Sequence, residues 1–187
     1  MQKFNLKQWR DDDDEDRQVA DRNAVQAWVE GVRPGVYRFR YHVQGDISRL
    51  RIPDAVAPGR RDELWRHTCF EAFVMGVDGS YCEFNFSPSR QWAAYRFDSY
   101  RRAMSELPLQ TMPRIETETM EDGFGLDAIV PLALHEDTVA GRSRLAIAAV
   151  LECTDGRLTY WALAHAGVKP DFHHEDGFIA ALPDNGG

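Results

Sequence analysis

The chain has 187 residues, of which 43% are hydrophobic and 28% charged, with a formal net charge of −8. That composition suits a soluble globular domain with a sizeable core, and the acidic balance argues against nucleic acid or an anionic membrane surface, both of which call for a basic face. No apolar run approaches the roughly 20 residues that span a bilayer, and the opening MQKFNLKQWRDDDDED lacks the apolar core of a secretory signal, so the expectation is one domain in the cytoplasm.

Residues 1–35 are poorly patterned, and Trp9 and Trp28 within them suggest no role. Asp11 to Asp16 (DDDDED) is the only low-complexity run: either a solvated loop or a set of hard oxygen ligands for a cation such as calcium. From Val36 to Gly45 the period is two. Tyr37, Phe39, Tyr41 and Val43 share one face, and Arg38, Arg40, His42 and Gln44 the other. After the Gly45-Asp46 turn a short strand is expected at Leu50–Ile52, and Pro58-Gly59 is a second break. Leu64 to Val74 then points Phe70, Ala72 and Val74 inward and Trp65, His67 and Glu71 outward.

The Asp78-Gly79 pair signals a hairpin, because glycine supplies the positive φ of a tight turn. The returning strand, Tyr81 to Ser87, sends Cys82, Phe84 and Phe86 inward and Glu83 and Asn85 outward. Gln91 to Phe97 alternates again, with Tyr95 and Phe97 opposite Trp92 and Arg96. Ser99 to Leu107 is expected to form a short helix and Pro131 to Ala140 one helical turn. Asp-Gly turns at 122–123 and 155–156 join two further strand pairs, 114–119 with 124–130 and 145–153 with 157–165, and Phe178 to Leu182 closes the series. Many short strands with tight turns predict an all-β fold, an antiparallel two-sheet β-sandwich. Cys69, Cys82 and Cys153 are widely spaced and odd in number, which fits reduced thiols.

The outward row Trp65, His67, Glu71, Glu83 and Asn85, joined by Arg38, Arg40 and His42 if that strand shares the sheet, is the strongest candidate for chemistry. An aromatic plate for C–H faces beside planar polar groups is what a saccharide requires. Glu71 and Glu83 lie on neighbouring strands, so a cation, an arginine or a ligand is expected between them. An exposed Arg/Glu ladder is the competing reading, and a pair of glycosidase carboxylates a third. Trp65, Trp92 and Trp161 are candidate stacking platforms, although tryptophan more often caps a core. His173, His174, Glu175 and Asp176 include metal-ligating types, but consecutive residues rarely converge on one ion. Ser87-Pro88-Ser89 has no nucleophile-elbow context, and the glycines stand singly at turns, so no nucleotide cofactor is expected.

The words LWRHTCFEAFV, YCEFNFSPSRQWAAYRFDSYR and ALAHAGVKPDFHHEDGF resemble bacterial DOMON-like proteins, similar in turn to family 9 carbohydrate-binding modules, across about residues 35 to 182. The resemblance implies a β-sandwich with one sheet curved into a ligand face. It also implies that His165, Lys169, Asp171 and His173 lie at the rim of that face. Some members of the wider superfamily bind haem through methionine and histidine. Here Met75, Met104, Met112 or Met120 and His165 are the available residues, with no evident pairing. The overall expectation is a non-catalytic domain that binds a small polar, saccharide-like molecule and needs no cofactor or metal. The alternative is a protein-interaction or structural module with a solvated polar face.

Overall fold

Among the described residues of the computed structural model (1–10, 23–132 and 142–184), the regular structure is thirteen strands and three single-turn 3-10 helices. The strands are β1 (Gln2–Gln8), β2 (Ala24–Arg33), β3 (Val36–Gln44), β4 (Gly59–Arg60), β5 (Cys69–Met75), β6 (Tyr81–Phe86), β7 (Gln91–Phe97), β8 (Ser105–Glu106), β9 (Arg114–Met120), β10 (Gly123–Pro131), β11 (Arg144–Glu152), β12 (Leu158–Ala162) and β13 (Ala180–Ala181). The mainly-β expectation holds. The acidic run 11–16 and most of the turn expected at 131–140 lie outside the described residues.

The strands form one continuous path, β4-β7-β6-β5-β11-β12-β1-β2-β3-β10-β9, with β13 added to β11 and β8 to β7. Pairing is antiparallel except between β4 and β7. β1 joins the halves: Gln2 to Leu6 pair with β2, while Lys7 and Gln8 pair with Ala162 and Trp161 of β12. A strand that changes partners along its length turns a corner, so the sheet curls over its own core. This differs from the two separate sheets expected from the sequence.

The core follows from the alternation. Phe39, Tyr41 and Val43 of β3 meet Phe70, Phe84 and Phe86 from the opposite half. The Tyr41 and Phe70 rings lie 4.9 Å apart, and those of Phe39 and Phe86 5.9 Å apart. The Tyr41 hydroxyl, fully buried, donates to the Glu71 carbonyl at 2.9 Å and ties β3 to β5. A buried hydroxyl has to find such a partner.

Several expectations are corrected. β1 and β2 lie in the segment where no pattern was read, yet Val25, Ala27 and Val29 alternate into the core. Leu64–Arg66 is a 3-10 turn rather than the start of a strand: Glu63 sits at φ 60°, and buried Leu64 pins the turn down. Leu50–Ile52 makes only an isolated bridge, from Leu50 to Cys153. No helix forms over 99–107, because Arg101 (φ 53°) and Ala103 (φ 53°) adopt left-handed backbone, and Ser105–Glu106 pair with β7 instead. The closing strand is only Ala180–Ala181.

Candidate functional site

All seven residues of β5 are buried, which period two alone does not explain. The outer face of β5, β6, β7 and β11 carries a second apolar layer: Leu64, Cys69, Phe73, Met75, Tyr81, Tyr95, Phe97 and Phe178, with Ala93, Ala146, Ala148 and Ala162. Register arranges this face in rows across the strands. One row runs Ala148, Glu71, Asn85, Ala93; the next runs Ala146, Phe73, Glu83, Tyr95. Glu71 and Glu83 are therefore diagonal neighbours, within reach of one another across the ladder. The small Ala148 beside Glu71, and Ala93 at the far end of the row, leave space above it.

That space is a cleft of about 510 Å³. Glu71 and Glu83 line it together with the rings of Trp65, Tyr95, Phe97, Tyr160 and Phe172, and with Asp62, Arg101 and His173. Trp65 is held at the edge by the 64–66 turn and is 47% exposed. The segment 170–178 crosses the outer layer and brings in Phe172 and His173. It is tied down by Asp171, which accepts from the Arg101 guanidinium at 2.9 Å and from the Tyr100 hydroxyl at 2.5 Å, and by the Arg144–Glu175 ion pair at 2.8 Å.

The electrostatics of the cleft are unusual. Glu71 is only 3% exposed, and its Oε1 has no hydrogen-bond partner. Burial, reinforced by the nearby Glu83 charge, pushes the Glu71 carboxyl well above the ordinary range. Burial also raises Glu83, against the opposing effect of the Asn85 amide, which donates to its Oε1 at 2.6 Å. His173 Nε2 lies 3.7 Å from the other Glu83 oxygen. Burial, helped by the Arg101 charge, lowers His173 to about 4, so the ring is neutral at pH 7. The Tyr81 hydroxyl accepts the Arg101 backbone N–H at 3.1 Å and lies 2.8 Å from His173 Nδ1. Where the hydroxyl donates to Nδ1, the ring proton sits on Nε2, facing Glu83. At the rim the Tyr95 hydroxyl donates to Asp62 at 2.5 Å, and this bond holds the Asp62 carboxyl low.

The residues singled out from sequence divide accordingly. Trp65, Glu71 and Glu83 line the cleft, and Asn85 orients Glu83 from beneath. His67 lies outside it: the strand it was assigned to is broken by the 64–66 turn, and its Nδ1 is 2.8 Å from Glu152. Trp92 points the opposite way, into the core, and is 7% exposed. Trp161 is also in the core. Arg38 and Arg40 are on the other half of the sheet, where they pair with Glu30 and Asp127. His165 Nε2 donates to the Lys7 carbonyl at 2.8 Å, so it holds β1 rather than the cleft rim. Lys169 is exposed and does not line the cleft. His174 and Glu175 diverge, one capping the 175–177 turn and the other pairing with Arg144, and no group of three metal-ligating side chains converges among the described residues. Arg101, Tyr95, Tyr160 and Phe172 were not singled out. The alternation that sets Tyr95 and Phe97 opposite Trp92 was the one available signal, read with Trp92 rather than Tyr95 toward the ligand, and the others depend on how loops fold back.

No family model matches the chain, and no curated protein matches it in sequence. Among solved structures it is similar to a proposed carbohydrate-binding protein from Bacteroides uniformis, at 14% identity and a TM-score of 0.66, over 97% of this chain and 85% of that one. It is also similar to a family 9 carbohydrate-binding module from Caldicellulosiruptor kristjanssonii solved with cellotriose, at 7% identity and a TM-score of 0.54, over 89% of this chain and 77% of that one. At these identities the likeness is one of fold.

Proposed function

We propose that the cleft on the outer face of β5, β6 and β7 binds a small saccharide-like molecule without transforming it. One observation carries this reading: a carboxyl oxygen of Glu71, buried and unpartnered, at a cleft walled by aromatic rings. An unmet buried acceptor is costly unless something fills it. Ring faces for C–H surfaces and convergent Glu71, Glu83, His173 and Arg101 for hydroxyls are the complement of a sugar. The shared fold with a module solved with cellotriose supports the same reading.

Titration calorimetry against neutral, amino and phosphorylated monosaccharides and short β-glucans tests it. Saturable binding is expected, weakened at least tenfold in both Trp65→Ala and Glu71→Gln. No heat with any of these ligands overturns the proposal.

One feature favours a catalytic alternative. Burial and a second carboxyl push the Glu71 carboxyl well above the usual range, the shift a general acid requires. Hydrolysis of nitrophenyl glycosides, abolished in Glu71→Gln, is the outcome that reading expects. The binding proposal expects none.

A further inference from the structure

We infer that the natural ligand of this cleft carries a cationic amine, an amino sugar being the simplest case, and that its ammonium group sits against Glu71 and Glu83. The inference rests on the binding proposal above and deepens it by naming the charge of the ligand.

The acids and bases that line the cleft do not balance. Asp62 is paired with Arg60 at 2.9 Å, and Glu63 with Arg66 at 2.6 Å. Arg101, the basic side chain in the lining, is paired with Asp171 at 2.9 Å. Glu71 and Glu83 remain. Among the described residues no arginine or lysine makes an ion pair with either: the Arg101 charge reaches both only as a lesser influence, and the basic ring within ion-pair distance of Glu83 is neutral His173, at 3.7 Å. Two carboxyls side by side with one unmet acceptor form a receptor for a donor that is also a cation. A neutral hydroxyl meets the hydrogen bond but not the charge.

The walls point the same way. Trp65, Tyr95, Phe97, Tyr160 and Phe172 present five aromatic rings to the same space. Ring faces attract an ammonium group through their negative quadrupole face. They also tolerate an apolar sugar face, so they do not by themselves require charge. The carboxyl pair does.

Binding has a proton consequence. In the empty cleft burial and the Glu83 charge favour the protonated form of Glu71, and the groups facing it or its neighbour are Glu83, Asn85 and Tyr81 on β6, Tyr95 on β7, Cys69 on β5, Tyr41 on β3, Arg101 from the 98–104 loop and His173 from the covering segment. An arriving R–NH₃⁺ keeps its three protons and pairs with the carboxylate. The proton that Glu71 holds in the empty cleft is released to solvent as the carboxylate forms.

The test compares D-glucosamine, N-acetyl-D-glucosamine, D-glucose and cyclohexylamine on the intact chain by calorimetry at pH 6, in two buffers of different ionisation enthalpy. Glucosamine is expected to bind at least tenfold more tightly than glucose or the acetylated sugar, with a heat that depends on the buffer. That preference should disappear in Glu71→Gln. Comparison among the four ligands needs no variant, so a folding defect in Glu71→Gln leaves the test intact. Equal affinity for glucose and glucosamine overturns the amine inference and leaves saccharide binding standing. Cyclohexylamine binding as well as glucosamine supports the amine inference and overturns the saccharide reading. No binding by any of the four overturns the inference.

Discussion

The two outer faces of this curled sheet carry similar residue types and use them in opposite ways. On the β2–β3–β10 face, charges pair across strands in the open: Arg38 with Glu30 at 2.8 Å and Asp127 at 3.4 Å, and Arg40 with Asp127 at 3.1 Å. These side chains are 27–47% exposed, and each charge has a partner. On the β5–β6–β7 face the glutamates are buried beneath a second apolar layer, and no arginine or lysine among the described residues pairs with them. The first face obeys the rule that exposed ladders are nearly neutral in energy. The second departs from the rule that buried polar groups find a hydrogen-bond partner, since Glu71 Oε1 has none. Such a departure persists where the site serves a use other than stability.

The largest effect that separates the faces is expected in the apolar layer. Phe73 is fully buried outside the main core, with its ring 5.3 Å from His173 and 6.3 Å from Phe178. Phe73→Ala is expected to lower unfolding free energy by about 3–5 kcal/mol, the usual cost of a large buried ring, read by urea denaturation. A loss under 1 kcal/mol would mean that the segment 170–178 is not packed on the sheet, and the two faces would not differ as described.

Next comes Glu71→Gln, with the opposite sign. A carboxyl whose folded value is raised binds its proton more tightly in the native state, so it costs stability as pH rises above its unfolded value near 4.3. Glutamine removes that cost. The variant is expected to be more stable than the parent by roughly 1–3 kcal/mol at pH 8, the scale of one unmet buried polar group, and to be indistinguishable from it near pH 4. Thermal unfolding at both pH values checks this. Stability gained with binding lost would mark a residue kept for its ligand.

How much of this was legible from sequence depends on distance along the chain. Period two placed Phe39 and Tyr41 inward, and the Asp-Gly pairs at 78–79, 122–123 and 155–156 gave three hairpins. Glu71, Glu83 and Asn85 fell on one face because a single hairpin joins their strands. His67 and Trp65 were read through residue 68 as one strand, and the left-handed backbone at Glu63 cannot be seen in side-chain periodicity. Arg38 and Arg40 have the alternation of a ligand face, but which sheet half they join depends on β1, whose pairing spans about 150 residues of sequence. The cleft wall supplied by Phe172 and His173 comes from residues 170–178, and a strand pattern gives no sign of what folds over it.

His173 sharpens the contrast in a way the glutamates alone do not. Its ring is neutral in the fold and protonates only near pH 4, whereas an unfolded histidine does so near 6.5. Between those values the unfolded chain holds more protons at this site, so the histidine makes stability rise with pH. The glutamates make it fall over much of the same window. In the parent the two slopes oppose each other. Glu71→Gln is expected to steepen the rise between pH 4 and 6.5, and His173→Asn to reverse it into a decline, both read as unfolding midpoint against pH.

The smallest effects belong to the paired face. Arg40→Ala is expected to change stability by about 0.2–1 kcal/mol, and by less in 1 M salt, because an exposed pair in water is weak and screened. Ligand affinity should be unchanged, since the residue is on the half of the sheet away from the cleft. Arg38→Ala costs somewhat more, because two carboxylates, Glu30 and Asp127, lose a shared partner. If either substitution weakened binding as much as Trp65→Ala, the ligand would have to reach the β2–β3–β10 face, and the assignment of recognition to the cleft with the unpaired glutamates would fail.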